Sequence, residues 1–209
     1  MNSYRLHFIR HGITQGNQKG IYIGSTDLPL CREGEGVIKK LVAEYDYPKV
    51  GKVYVSPLKR CISTAKIIYP ETFTEKVSGL RECDFGVFEG KTIAELKNTP
   101  EFLKWIENCS KKSSAPPEGE SGEQVLERSV AAIDYIVKDM MKLKIYDAAV
   151  ITHGGIIMSL FAACGYPKAN MNDWVTDSGK GYTVRIDPRL WMTDNIFEVI
   201  QKIPFDKSK

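Results

Sequence analysis

Leu6-His7-Phe8-Ile9-Arg10-His11-Gly12, followed closely by Thr14 and Asn17, is the stretch around which the chain is organised. An apolar run stops abruptly at an arginine, a histidine and a glycine. A strand over residues 3–10 that ends this way delivers its last side chains to a site at the sheet edge. The residue types suit phosphate chemistry. An imidazole can attack phosphorus, and a guanidinium can hold two phosphate oxygens with its planar fork. Taken alone, the tripeptide is equally an ordinary polar turn after a strand.

Two later stretches repeat the logic. Residues 147–152 read as a strand buried on both faces, and it runs directly into His153-Gly154-Gly155. A helix is expected over 156–163, with free backbone amides at its start. Residues 52–55 form a shorter strand, with Ser56 as the expected N-cap and Pro57 as the first residue of a helix. Its buried face is Leu58, Ile62, Ala65 and Ile68. Arg60 then falls in a first helical turn, where free N–H groups and the helix dipole already favour an anion. Arginines ordinarily face solvent, but this position after strand and cap argues for a site.

The other segments complete an alternating α/β pattern. A helix is expected over 35–45, a strand over 72–77, and short helices over 93–97 and 101–108. The longest helix follows the capping box Ser121-Gly122-Glu123-Gln124, with Leu126, Val130, Ile133, Val137 and Met140 as its core face. Residues 182–186 and 197–203 are expected as antiparallel strands at an edge. The loop 12–33 is rich in turn residues and long enough to be functional. Residues 80–92 form an irregular loop in which Glu82, Asp84 and Glu89 are all candidate acids. Gly86 to Gly90-Lys91-Thr92 is not a Walker loop, because three residues intervene where four are required. Residues 109–120 have linker composition, and 91–120 is expected to be an excursion that covers something, a lid within one domain spanning 1–209.

Bulk composition bounds the function. The chain has 209 residues, 43% hydrophobic and 26% charged, with a net charge of +3. That fits one globular domain and is too weak and dispersed a charge to imply nucleic acid. The small basic clusters, Lys111-Lys112 and Lys207-Ser208-Lys209, read as solvated surface. No run has the length of a membrane span, and the N-terminal apolar run is too short and too broken for a signal peptide. Five cysteines, Cys31, Cys61, Cys83, Cys109 and Cys164, show no CxxC spacing. They are expected as reduced thiols in a cytoplasmic protein. His7 and His11 sit roughly 13 Å apart along a strand. No histidine-based metal cluster is expected, and no cofactor. Oligomeric state is not encoded in any of these motifs.

With Arg10-His11-Gly12, Arg60, Glu82 and His153 assembled, the chain resembles the histidine phosphatase superfamily, also called the phosphoglycerate mutase-like family. Leu6 to Asn17 matches its opening Leu-x-x-x-Arg-His-Gly-x-Thr-x-x-Asn signature. Ser56-Pro57-Leu58-Lys59-Arg60 with Thr64-Ala65 matches a second motif, and Leu80 through Glu82 and Gly86 to Glu89-Gly90 matches a third. Pro117-Glu118-Gly119-Glu120-Ser121 and Thr152-His153-Gly154-Gly155 supply two more. The resemblance implies a three-layer α/β/α fold with a mixed, mostly parallel sheet. It implies His11 as the nucleophile that becomes a phosphohistidine, and Glu82 as proton donor. It also implies Arg10, Arg60 and His153 on the phosphoryl oxygens, with help from Asn17 and the Gly154 amide. Thr14 is either a turn residue or a further phosphate contact.

The expected activity is metal-independent hydrolysis of a small-molecule phosphomonoester, such as a sugar phosphate or α-ribazole phosphate. A cofactor-dependent phosphoglycerate mutase is the alternative. That branch usually shows Arg-His-Gly-Glu-Ser, whereas this chain has Arg-His-Gly-Ile-Thr. A non-catalytic phospholigand-binding module ranks below both, because His11, Glu82 and His153 are all present. Leu30-Cys31-Arg32-Glu33-Gly34 departs from the usual Leu-Thr/Ser-x-x-Gly without touching a candidate site residue. Substrate choice is expected to lie in 91–120 and in the 18–28 loop.

Overall fold

The computed structural model describes residues 3–108 and 113–207. Cys109, Lys111-Lys112 and Ser208-Lys209 lie outside the described residues. The first half runs β1 (Tyr4–Arg10), α1 (Gln15–Gln18), α2 (Arg32–Glu44), β2 (Tyr45–Asp46), β3 (Lys52–Val55), α3 (Lys59–Ile68) and β4 (Thr74–Lys76). Then come α4 (Ile93–Leu96), α5 (Pro100–Asn108), α6 (Gly122–Leu143), β5 (Asp147–Thr152), α7 (Gly154–Cys164) and β6 (Gly165–Tyr166). The chain closes with β7 (Gly181–Ile186), α8 (Pro188–Asp194), β8 (Phe197–Ile203) and β9 (Phe205–Asp206).

The main sheet has seven strands in the order β4-β3-β5-β1-β7-β8-β6. β1 pairs parallel with β5, β5 with β3, and β3 with β4. β7 is antiparallel to both β1 and β8. The strands 182–186 and 197–203 are therefore antiparallel as expected, but β7 lies inside the sheet beside β1. The edge belongs to the two-residue β6, parallel to β8.

Side chains of the central strands alternate between two buried faces. Leu6, Phe8, Tyr54, Ala148 and Val150 face the layer containing α6 and α7. Ile9, Val53, Val55, Ala149 and Ile151 face α2 and α3. This period-two division of near-continuous apolar runs is why parallel strands sit in the middle layer. A third, smaller cluster of Phe88, Leu96 and Phe102, with Tyr22, Phe85 and Trp105 against it, lies under α4 and α5.

Three local expectations are corrected. The helix after β3 begins at Lys59 with Leu58 at its N-cap, and Ser56 does not cap it. Asp27 takes that task from a distant loop, its carboxylate accepting the Lys59 N–H at 2.7 Å. Within the loop 12–33, Thr14 and Asn17 form a capping box that creates the short helix α1. The core face of α6 is rotated by about one residue: Val125, Ser129, Ala132, Ile133, Ile136, Val137 and Met140 are buried, and Leu126 and Val130 only partly so. The cause is the turn at residues 78–80. A Cβ on Gly79 would stand 2.6 Å from the Arg128 carbonyl oxygen and 2.8 Å from Ala132. Small residues at 129 and 132 admit that turn, so the stripe shifts toward it.

Candidate active site

Parallel strands present all their C-terminal ends on one edge, so β1, β5 and β3 bring Arg10, His153 and Ser56 together. His11 follows directly after β1, anchored by its own N–H to the Thr152 carbonyl at 2.9 Å. Its ring is buried. Nδ1 meets the Gly12 carbonyl oxygen at 2.6 Å. A carbonyl can only accept, so the proton sits on Nδ1 and Nε2 carries the lone pair. Burial, with Arg60 and Arg10 nearby, lowers the His11 pKa to about 3. The ring is therefore neutral at physiological pH. Arg10 donates from Nη1 to the Thr176 carbonyl at 2.7 Å. Its Nε is buried and has no hydrogen-bond partner among the described residues.

Arg60 is 1% exposed, an unusual state for an arginine. Burial pushes its pKa down. Its fork is held by backbone oxygens: Nη2 donates to Gly24 at 2.7 Å and Nη1 to Thr26 at 2.9 Å. The loop carrying those oxygens is itself clamped by one carboxylate. Glu89 accepts the N–H groups of Gly24, Ser25, Thr26 and Phe85 within 3.2 Å. It also accepts the Thr26 hydroxyl. Glu89 thus sets the position of Arg60 through the 24–26 loop.

Glu82 is half-buried beside the start of α7. Oε1 accepts the Cys83 N–H at 3.0 Å and Oε2 the Gly155 N–H at 3.2 Å. Desolvation raises its pKa against the pull of those donors and of the two arginines. A Cβ at Gly155 would stand 2.6 Å from Oε1, so any side chain there would push the Glu82 carboxylate out of this position. The backbone around Glu82 is fixed by Arg128. That guanidinium donates to the carbonyls of Gly79, Arg81 and Glu82 within 3.0 Å, and it pairs bidentately with Glu120.

His153 is fully buried at the end of β5. Its ring centroid lies 5.0 Å from that of His11. Nδ1 accepts from Arg60 Nε at 3.3 Å, which leaves the ring proton on Nε2, bonded to Ser56 Oγ at 2.8 Å. Burial, then His11 and Arg60, hold its pKa well below the ordinary value. The Gly154 amide opens α7, with the Arg10 guanidinium against Gly154. Thr14 and Asn17 here hydrogen-bond to each other: Thr14 is buried, and Asn17 Oδ1 accepts both its N–H and its hydroxyl at 3.0 Å. Among the described residues no group of His, Cys, Asp and Glu could hold a metal ion, and no helix is long and apolar enough to cross a membrane.

Residues 6–197 match the family model of the histidine phosphatase superfamily (branch 1). The chain belongs to that superfamily. A broad-specificity phosphatase of Saccharomyces cerevisiae is 30% identical over 75% of this chain and 68% of its own. A 2,3-bisphosphoglycerate-dependent phosphoglycerate mutase of Rhizobium etli is 23% identical over 74% of this chain and 77% of its own. The fold is that of the crystal structure of the α-ribazole phosphatase from Shigella flexneri, with a TM-score of 0.79. The likeness covers 98% of this chain and 99% of that one, at 21% identity. The histidine phosphatase fold accordingly has the mixed, mostly parallel sheet expected from the sequence.

The fold brings Arg10, His11, Arg60, Glu82, His153 and Gly154 to one sheet edge. Ser56, Glu89, Asp27 and Arg128 escaped sequence reasoning as members of the site. Ser56 reads as a cap, and Glu89 as one acid among several. Asp27 and Arg128 act through backbone atoms far away in sequence, which no periodicity encodes.

Proposed function

We propose that this chain is a metal-independent phosphatase that hydrolyses a small-molecule phosphomonoester through a phosphohistidine on His11. The observation that carries the reading is the His11 ring: neutral, buried beside two guanidinium groups, with its proton fixed on Nδ1 and Nε2 unprotonated. A neutral imidazole beside fixed cations is what attack on a phosphoryl group asks for.

In the first step the Nε2 lone pair forms the N–P bond while the P–O bond to the alcohol breaks. Glu82, protonated in the fraction that its raised pKa favours, gives its proton to the departing oxygen. Arg60 and Arg10 hold the phosphoryl oxygens, and the unpaired Arg10 Nε is a ready donor for one of them. His153 contributes from the far side by fixing Arg60, and the Gly154 amide and the Asn17 side-chain amide add donors. Thr14 orients Asn17. In the second step a water gives a proton to Glu82 and its oxygen attacks phosphorus. The P–N bond breaks and orthophosphate leaves.

Positive charge is thus supplied by side chains, which supports metal independence. The described parts of the excursion, residues 91–108 and 113–120, serve as the lid over the alcohol. The four described cysteines are free thiols and suit a reducing compartment, the cytoplasm. The test is turnover of a generic aryl phosphate in excess chelator. Activity that persists in chelator and is absent from His11→Ala is expected. Activity that requires added metal, or survives in His11→Ala, contradicts the reading.

A further inference from the structure

A cavity of about 610 Å³ adjoins Glu82 and Gly155 and extends between α6, α7 and the side chains of Trp105 and Ser114. Its size is that of a small-molecule pocket. Large apolar side chains face it: Phe85, Trp105, Val125 and Leu126. On the α7 side the wall is made by small residues, Ser159 and Ala162 among them, because the bulky residues of that helix (Ile156, Leu160, Phe161) are turned into the core. The charged groups lining the cavity among the described residues are two carboxylates, Glu82 and Glu120, with no lysine or arginine. Arg128 stands behind Glu120 and is consumed by it and by three carbonyls.

We propose that this cavity receives the leaving group and selects phosphomonoesters of bulky, uncharged alcohols, aromatic ones above all, over phosphorylated hydroxy acids and amino acids. The inference rests on the phosphatase reading. Glu82 belongs both to the reacting centre and to the cavity wall. The ester oxygen that takes its proton therefore departs as a neutral alcohol with its carbon skeleton already in the cavity. A flat apolar skeleton meets Phe85 and Trp105 there. A skeleton that carries a carboxylate next to the phosphate would hold that charge away from water, beside the proton-carrying Glu82 and the Arg128-paired Glu120, with no lysine or arginine on the described wall to meet it.

The test compares kcat/KM for hydrolysis of four alkyl esters with leaving alcohols of similar acidity: 1-naphthylmethyl phosphate (the naphthyl ester), O-phosphoserine, 3-phosphoglycerate and methyl phosphate. The wild type should favour the naphthyl ester over both carboxylated substrates by about tenfold or more, the range for leaving a buried charge unpaired. Leu126→Arg, which adds a cation to the wall, should shift that ratio toward the carboxylated substrates by about tenfold. Ser159→Trp, which fills the cavity, should lower the naphthyl rate while sparing methyl phosphate. Preference of the wild type for a carboxylated substrate overturns the inference and leaves the phosphatase reading standing. A ratio unmoved by both variants overturns it as well. Absence of turnover on all four substrates overturns the reading and the inference together.

Discussion

The adjacent strands β1 and β5 end in the same dipeptide, a histidine followed by a glycine. Both rings are buried, and both are held neutral by desolvation and by the neighbouring arginines. They differ in what their second nitrogen meets. At the end of β1 the chain turns so that Nδ1 bonds the next carbonyl, and Nε2 has no partner among the described residues. At the end of β5 both nitrogens are engaged, one by Arg60 and the other by Ser56. Identical residue types therefore have different chemistry. His11 keeps a free lone pair, whereas His153 links a guanidinium to a hydroxyl. The partner of each ring atom decides, as it does for any neutral histidine.

The contrast is broken most directly by truncating each ring. His11→Ala should lose about 10⁴-fold or more in kcat on an aryl phosphate, because it removes the attacking atom. His153→Ala should lose about 10²- to 10³-fold, the range for one removed stabilising contact. Equal losses would show that the two strand ends share one role. Next in size is Glu82→Gln, with a loss of about 10²- to 10⁴-fold on alkyl phosphates. The loss should shrink for esters with acidic alcohols, whose oxygen departs without a proton, and a constant loss across leaving groups would remove Glu82 as the donor.

A smaller effect tests how Arg60 is held. Glu89→Gln should weaken inhibition by orthophosphate about tenfold, as the 24–26 loop loosens its hold on the guanidinium. Unchanged inhibition would mean that the loop needs no clamp. The mildest effect is on stability. In the folded chain His11 titrates near 3, and His153 is also lowered, whereas in the unfolded chain each titrates near 6.5. The unfolded state therefore binds more protons in that interval, so stability falls as pH drops from about 6.5 toward 3. Melting temperatures taken from pH 7 down to pH 4 should decline, and His153→Ala should flatten the decline.

Much of this is legible in the sequence. β1, β3 and β5 are short apolar runs, and β1 and β5 run into His-Gly pairs whose chemistry is conspicuous, whereas β3 runs into a serine and a proline. Glu82 was separable from Asp84 and Glu89 only by motif register. Its distinguishing feature, the Gly155 N–H donated to it at the start of α7, depends on residues 73 positions apart. Ser56 misled for a related reason. Its sequence context is that of a cap, but the buried Nε2 proton of His153 needs an acceptor, and Asp27 is near enough to serve the helix instead. The rotation of α6 came from contact with the 78–80 turn, a packing constraint that overrides the helix's own apolar stripe.

The central claim is that His11, through Nε2, carries the phosphoryl group. Mixing the protein with an aryl phosphate and stopping the reaction in alkali, where phosphohistidine survives, allows the label to be mapped by mass spectrometry and its nitrogen assigned by ³¹P NMR. One phosphoryl group on Nε2 of His11, absent after His11→Ala, is the predicted result. A phosphoryl group on His153, on Nδ1 of His11, or on no histidine during steady turnover would contradict it.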